Sequence, residues 1–271
     1  MKQQQLPVTG QTAMPTWLVG IAVFVYLGVL ALLVFLPGAT LLERLRWLDS
    51  GVCAQLPTHS FYPGGERLPL CARNTGIYLG FIVTLATLYA TGRGRVQRLP
   101  PWPVIVTLVS GIIMLAIDGG NSLLLDLGLP HLYHPHNLLR LAAGLLTGLA
   151  MAALILPVTN RLFWCEYNEQ RSIASWRALA LCLPALIICF FAVISQSGVV
   201  LYPIALLSTS GLVMALSSVN LIIIVALSRR DQVFSHYREL LPYFGLALAC
   251  ASGELIALAH LKVLLLHALG G

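Results

Sequence analysis

The chain has 271 residues, 58% of them hydrophobic and 10% charged, and a mean hydropathy of +0.85, a balance that leaves too little polar surface for a soluble globular domain. Its formal net charge of +6 arises from sixteen Lys and Arg residues scattered through polar connectors, which excludes the continuous basic stripe of a nucleic-acid-binding protein. The solvent for much of the chain is therefore lipid, and membrane lipids are its first expected partners.

Crossing a hydrocarbon core of about 30 Å takes about 20 apolar residues in helical conformation, because unpaired backbone groups are too costly in lipid. Uncharged runs of that kind occur at residues 17–37, 75–91, 102–117, 141–157, 178–197 and 201–227, and a seventh apolar run, at 240–267, carries Glu254 and Lys262. The fold class this predicts is all-α: a polytopic transmembrane bundle of about seven helices, forming a single integral membrane domain over residues 1–271. Lys2 precedes the first run, as in a secretory signal, but the run is longer than the usual apolar region of such signals, so an uncleaved helix is expected. Residues 178–228 carry no charge and are too long for one crossing; Ser195, Gln196, Ser197, Gly198 and Pro203 supply the turn.

The connectors carry an orientation signal. Arg93, Arg95 and Arg98 lie in the second, Arg161, Arg171 and Arg177 in the fourth, and Arg229, Arg230 and Arg238 in the sixth, while the third (residues 118–137) and the fifth have no Lys or Arg. The positive-inside rule then places the amino terminus and the even connectors in the cytoplasm and the carboxy terminus outside, in what is expected to be the cell membrane. The first connector departs from this pattern, with Arg44, Arg46, Arg67 and Arg73.

Of the six cysteines, Cys182, Cys189 and Cys250 lie in apolar runs and read as packed thiols, and Cys165 sits in a polar connector. Cys53 and Cys71 flank a Gly/Pro-rich loop. Outside the cytoplasm they could form a disulfide worth about 3 kcal/mol in the chain-entropy model. A second reading is zinc, with Cys53, His59 and Cys71 joined by His131, His134 or His136 in a tetrahedral set. A third leaves both thiols free. Otherwise no cofactor is expected.

That loop reads Cys53, Gln55, Pro57, His59-Ser60-Phe61, then Pro69-Leu70-Cys71, Arg73-Asn74-Thr75-Gly76 and Tyr78. It resembles an uncharacterised membrane family, domain of unknown function 2085, with its Cys-His, Pro-x-Arg-Ser-Phe and Pro-Leu-Cys-x-Arg-Cys-Thr-Gly-Ile-Tyr elements. Asp118-Gly119 and Asn137 to Arg140, with Gly144 and Gly148, resemble its second block. The similarity runs from Cys53 to Gly148, within a family-like core of residues 48–150, and leaves residues 151–271 as additional helices. It implies a fold family and brings no established activity. Ala54, His59 and Asn74 stand where the family pattern has His, Arg and a third Cys, which puts any metal binding by the family in doubt for this chain.

Charges near helix ends are the remaining clue. Arg73 and Arg140 enter their helices from the outer side, above small residues spaced four apart (Gly76 and Gly80; Gly144 and Gly148), a pattern of close helix packing or of a weak parallel repeat. Asp118 is expected at the outer end of the third helix; Glu254, His260 and Lys262 lie in the outer half of the last. Charges at such depth pair, snorkel or line a hydrated cavity. In the plainer reading Arg73 and Arg140 neutralise Asp118 and Glu254 and tie helices together. In the functional one they form a pocket for a phosphate or carboxylate headgroup, with Asn74, Tyr78, Asn121 and Asn137 adding hydrogen bonds and Asp118 as the candidate base or proton carrier. Gly120-Asn121-Ser122 reads as a turn, and Tyr133 as an interfacial aromatic.

Three functions remain open on the sequence: binding, transport or processing of an anionic amphipathic ligand at an outward-facing Arg/Asp/Asn site; a non-catalytic subunit or assembly factor of a larger membrane complex; and a thiol- or metal-dependent membrane enzyme. Whether the protein is an enzyme is not decided by any nucleophile and base spacing.

Overall fold

The computed structural model describes Gly28 and residues 35–268. The helix expected over residues 17–37 lies almost wholly outside the described residues. The next element was not expected from hydropathy. Helix α1 (Leu41–Asp49) starts on a capping box, in which Thr40 accepts from the Glu43 amide and Glu43 reaches back to the Thr40 amide, so the orphan N–H groups of its first turn are satisfied. Leu42, Leu45 and Leu48 make its buried stripe.

Helix α2 (Ala72–Ala90) is the centre of the molecule. It packs most extensively against α4 (Asn137–Phe163), and further against α6 (Leu183–Ile194) and α7 (Leu201–Leu227). Glycines make the α2–α4 contact possible: a Cβ on Gly76 would stand 2.5 Å from the Leu141 carbonyl oxygen, and one on Gly80 2.5 Å from that of Leu145. Gly144 and Gly148 meet the α2 backbone in return. The small residues spaced four apart therefore serve as the packing surface of two helices.

Helix α3 (Trp102–Asp126) leans on α4, α8 (Tyr237–Ala268) on α7, and α1 lies across α7 and α8. The uncharged stretch after residue 178 breaks twice. Short α5 (Trp176–Ala180) gives way to α6 near Pro184, and Ser195 caps α6 before Gln196 adopts a positive φ of 48°, as the polar turn predicts. The described residues contain no strand beyond the isolated bridges Arg98 to Arg171 and Trp164 to Phe234.

Five helical stretches, Trp102–Asp126, Asn137–Phe163, Trp176–Ile194, Gly198–Leu227 and Tyr237–Ala268, are long and apolar enough to cross a membrane. The protein is an all-α polytopic membrane bundle. Helix α2 is not one of the five; Arg73 and Asn74 in its first turn lower its hydropathy, and its neighbours cover Thr75 and Thr84, both buried.

One boundary differs in a way that matters. The third helix does not stop at Ile117 but runs nine residues further, and the third connector shrinks to residues 127–136. No proline interrupts between Pro103 and Pro130, and Leu123, Leu124 and Leu125 continue the apolar run until Gly128 turns the chain at a φ of 69°. Gly120, Asn121 and Ser122 are accordingly helical rather than a turn.

Connectors 91–101, 164–175 and 228–236 gather at one end of the bundle, where the Arg95 guanidinium lies over the rings of Trp164 (4.1 Å) and Tyr237 (4.5 Å). The first connector, the turn after α6 and the end of α8 gather at the other: the Gly64 amide donates to the Gln196 carbonyl at 2.9 Å, and Lys262 Nζ to the Cys53 carbonyl at 3.0 Å. The arginines of the first connector are held within the fold. Arg44 donates to the Gly38 carbonyl, Arg46 pairs with Glu66 at 2.8 Å, and Arg67 donates to the Gln55 carbonyl.

Candidate functional site

At that second end, three helices bring their polar residues together. Arg73 sits in the first turn of α2 and Arg140 in the first turn of α4, and the glycine contact holds these turns side by side. Helix α3 supplies Asp118 and Ser122 one turn apart, on the same face. The nine-residue extension of α3 is what delivers Ser122 to the arginines.

Arg73 Nη2 donates to Asp118 Oδ2 at 2.8 Å and to Ser122 Oγ at 3.1 Å. Arg140 Nη2 donates to the same Ser122 Oγ at 3.2 Å, and Arg140 Nη1 to Asn137 Oδ1 at 2.8 Å. One hydroxyl thus links two guanidinium groups of like charge. The other Asp118 oxygen accepts from the Tyr133 hydroxyl at 3.0 Å; burial, and next that hydrogen bond to a carboxylate, pushes the Tyr133 phenol up. Asn121 closes the connector over the site, accepting from the Leu132 amide and donating to the Tyr133 carbonyl at 2.7 Å.

The ion pairs do not use all the charge at the site. Asp118 is 1% exposed and Arg140 4%, yet the ion pairs of the described residues join Arg73 to Asp118 and leave Arg140 without a carboxylate within 4.0 Å. The Nε atoms of both arginines are buried with no hydrogen-bond partner. Two guanidinium donors therefore remain unused around one carboxylate. His59 Nε2 lies 3.3 Å from Asp126 Oδ1; burial and the Arg140 charge hold that imidazole below its ordinary range.

The structure brings Arg73, Asp118, Asn121, Asn137 and Arg140 together at one end of the bundle. Asn74 and Tyr78 do not join it: the Asn74 side chain hydrogen-bonds the Cys53 sulfur, and Tyr78 packs in the cluster of Cys53, Leu70 and Leu212. Glu254 is not a partner of either arginine; it accepts from Asn220 at 3.2 Å. The zinc set is not assembled either. His59 engages Asp126, the His131 and His134 rings meet edge to face with centroids 4.9 Å apart, and Cys53 and Cys71 face the other flank of α2. Among the described residues no three His, Cys, Asp or Glu side chains are grouped to hold a metal ion. Cys53 and Cys71 are free thiols in contact, the Cys71 amide donating to Cys53 Sγ at 3.3 Å.

Ser122 and Tyr133 are the site residues that hydropathy missed. The signal for Ser122 is its spacing of four from Asp118. Tyr133 has none in the sequence, because its contact depends on how the connector folds back.

A family model described as "Predicted membrane protein (DUF2085)" matches residues 53–154, the stretch that holds the whole arginine site. An uncharacterised protein of Methanocaldococcus jannaschii is 30% identical over 118 residues, 43% of this chain and 69% of that relative. No solved structure matches.

Proposed function

The chain belongs to the DUF2085 family of predicted membrane proteins, and on that footing we propose that it binds the anionic headgroup of an amphipathic ligand through Arg73 and Arg140. The observation that carries this reading is the pair of buried Nε donors without acceptors. A buried donor left unpaired costs about 1–3 kcal/mol, and a phosphate or carboxylate oxygen between the two guanidiniums would satisfy both while offsetting the surplus charge.

The surroundings suit a ligand with an apolar tail. Leu123, Leu127, Leu132 and Leu138, neighbours in sequence of the site residues, are 50% or more exposed, a surface that lipid or an acyl chain can cover. Asp118 has both oxygens engaged, so its role in this reading is to orient Arg73 and Tyr133 rather than to move a proton. The positive-inside rule supports an outer-side site in the cell membrane: connectors rich in Arg collect at the opposite end, and the arginines of the first connector are tied into the fold.

The test is thermal unfolding of the detergent-solubilised full chain with added short-chain phosphatidylglycerol, phosphatidylcholine or inorganic phosphate. At a concentration about 100-fold above Kd a ligand of the folded state adds about 2.7 kcal/mol. Phosphatidylglycerol should raise the melting temperature of the wild type, phosphatidylcholine should not, and Arg140→Gln should abolish the response. A response to phosphate equal to that to phosphatidylglycerol would assign the site to a free anion. Equal stabilisation by phosphatidylcholine, or an unchanged response in Arg140→Gln, removes the proposal.

A further inference from the structure

On the flank of α2 away from Arg73, a second group of reactive side chains is packed together. Cys53 Sγ accepts from the Cys71 amide at 3.3 Å, from the Cys71 thiol and from the Asn74 side chain. Cys71 caps the amino end of α2, where the helix dipole favours negative charge on nearby sulfur. Cys53 also lines a surface cavity of about 370 Å³, walled by Leu258, Leu261 and Leu265 of α8, with Lys262 at its edge.

One turn before Cys53 lies Asp49. The Cys53 amide donates to its carbonyl at 3.1 Å, its Oδ2 accepts from Thr209 at 2.7 Å, and its Oδ1 is buried without a partner. Asp49 is fully buried, and no cation within ion-pair distance offsets it among the described residues. Cys53, and Tyr78 of α2, are the titratable groups that interact with it.

We propose that Cys53 and Cys71 form a thiol–disulfide exchange centre. The Cys53 thiolate attacks one sulfur of a substrate disulfide. The substrate S–S bond breaks, a mixed disulfide forms on Cys53, and the departing thiolate is protonated by water. Cys71 then gives its proton to water and its thiolate attacks Cys53 Sγ. The mixed disulfide breaks, the second substrate thiolate leaves and is protonated by water, and a Cys53–Cys71 disulfide remains. The substrate disulfide has been reduced to two thiols and the protein dithiol oxidised, and a dithiol substrate runs the sequence backwards. The leucine-walled cavity beside Cys53 selects a disulfide with apolar flanks.

Hydrogen bonds from Cys71 outweigh burial and hold the Cys53 thiol down at about 6, while donating to Cys53 raises Cys71 itself. That asymmetry assigns the attacking and resolving roles. Burial pushes Asp49 up to about 8.

The test uses the full chain with the exposed Cys165 and Cys250 replaced by Ser, and dithiodipyridine as the disulfide. Two pyridinethiones should be released per Cys53/Cys71 pair, with loss of both thiol hydrogens by mass. Cys71→Ser should stop after one, with the adduct on Cys53, and Cys53→Ser should react at least about tenfold more slowly. Faster capture by Cys71 than by Cys53, or a pair that stays oxidised under reductant in the folded protein, would overturn the proposal.

Discussion

Arg73 and Arg140 carry the same charge in different surroundings. Arg73 is paired with a carboxylate that has 1% of its side chain exposed, so its removal strands a buried negative charge. Arg140 has only neutral acceptors, Asn137 and Ser122, within hydrogen-bond reach. Arg73→Gln should therefore cost about 3–5 kcal/mol of stability, the usual penalty for breaking a buried pair from one side. Arg140→Gln, which withdraws an uncompensated charge along with its hydrogen bonds, should cost about 1 kcal/mol. Chemical denaturation in a fixed detergent separates the two, and a smaller loss for Arg73→Gln than for Arg140→Gln would contradict the assignment of Asp118 to Arg73. At this scale the sequence told part of the story. Arg73, Asp118 and Arg140 stood out because charge is rare in such a chain, but Asn74 and Tyr78 were grouped with Arg73 by adjacency. A helix turns about 100° per residue, so Asn74 and Tyr78, four apart, share the thiol flank while Arg73 faces α3.

Among elements, the α2–α4 contact has the strictest requirement. A methyl group on Gly76 would meet the Leu141 carbonyl, whereas nothing stands within 4 Å of a Cβ on Gly120. Gly76→Ala should destabilise by about 1–3 kcal/mol, the range for overpacking, and Gly120→Ala should leave the melting temperature unchanged or slightly raised. Equal melting temperatures for the two variants would refute the close-packed interface. The packing glycines were legible in the sequence through their spacing of four; the length of α3 was not. Asp118, Asn121 and Ser122 look like a connector to hydropathy, and become helical because a polar face that meets two guanidiniums is as well satisfied as an apolar face that meets lipid. Helix α1 escaped for a related reason: its Thr40 and Glu43 capping pair was readable, but nine residues with Arg44 and Arg46 do not register in a search for membrane crossings.

For the whole molecule, the separation of two chemistries on either flank of one central helix is the feature that hydropathy alone could not give. Helix α2 presents Arg73 to α3 and α4, and the thiol-bonded Asn74 to the opposite side, with Tyr78 packed there as well. The apolar runs made the all-α bundle evident, since backbone hydrogen bonding in lipid permits little else. Which polar residues meet was decided by helix rotation and by the fold of connectors, neither of which leaves a periodic trace. The arginine site reads as the place where an amphipathic anion meets the bundle. Native mass spectrometry of the full chain released from its own membranes tests that most directly. The account predicts an anionic amphiphile adduct on the wild type that is absent from folded Arg140→Gln; identical adducts on both proteins would contradict it.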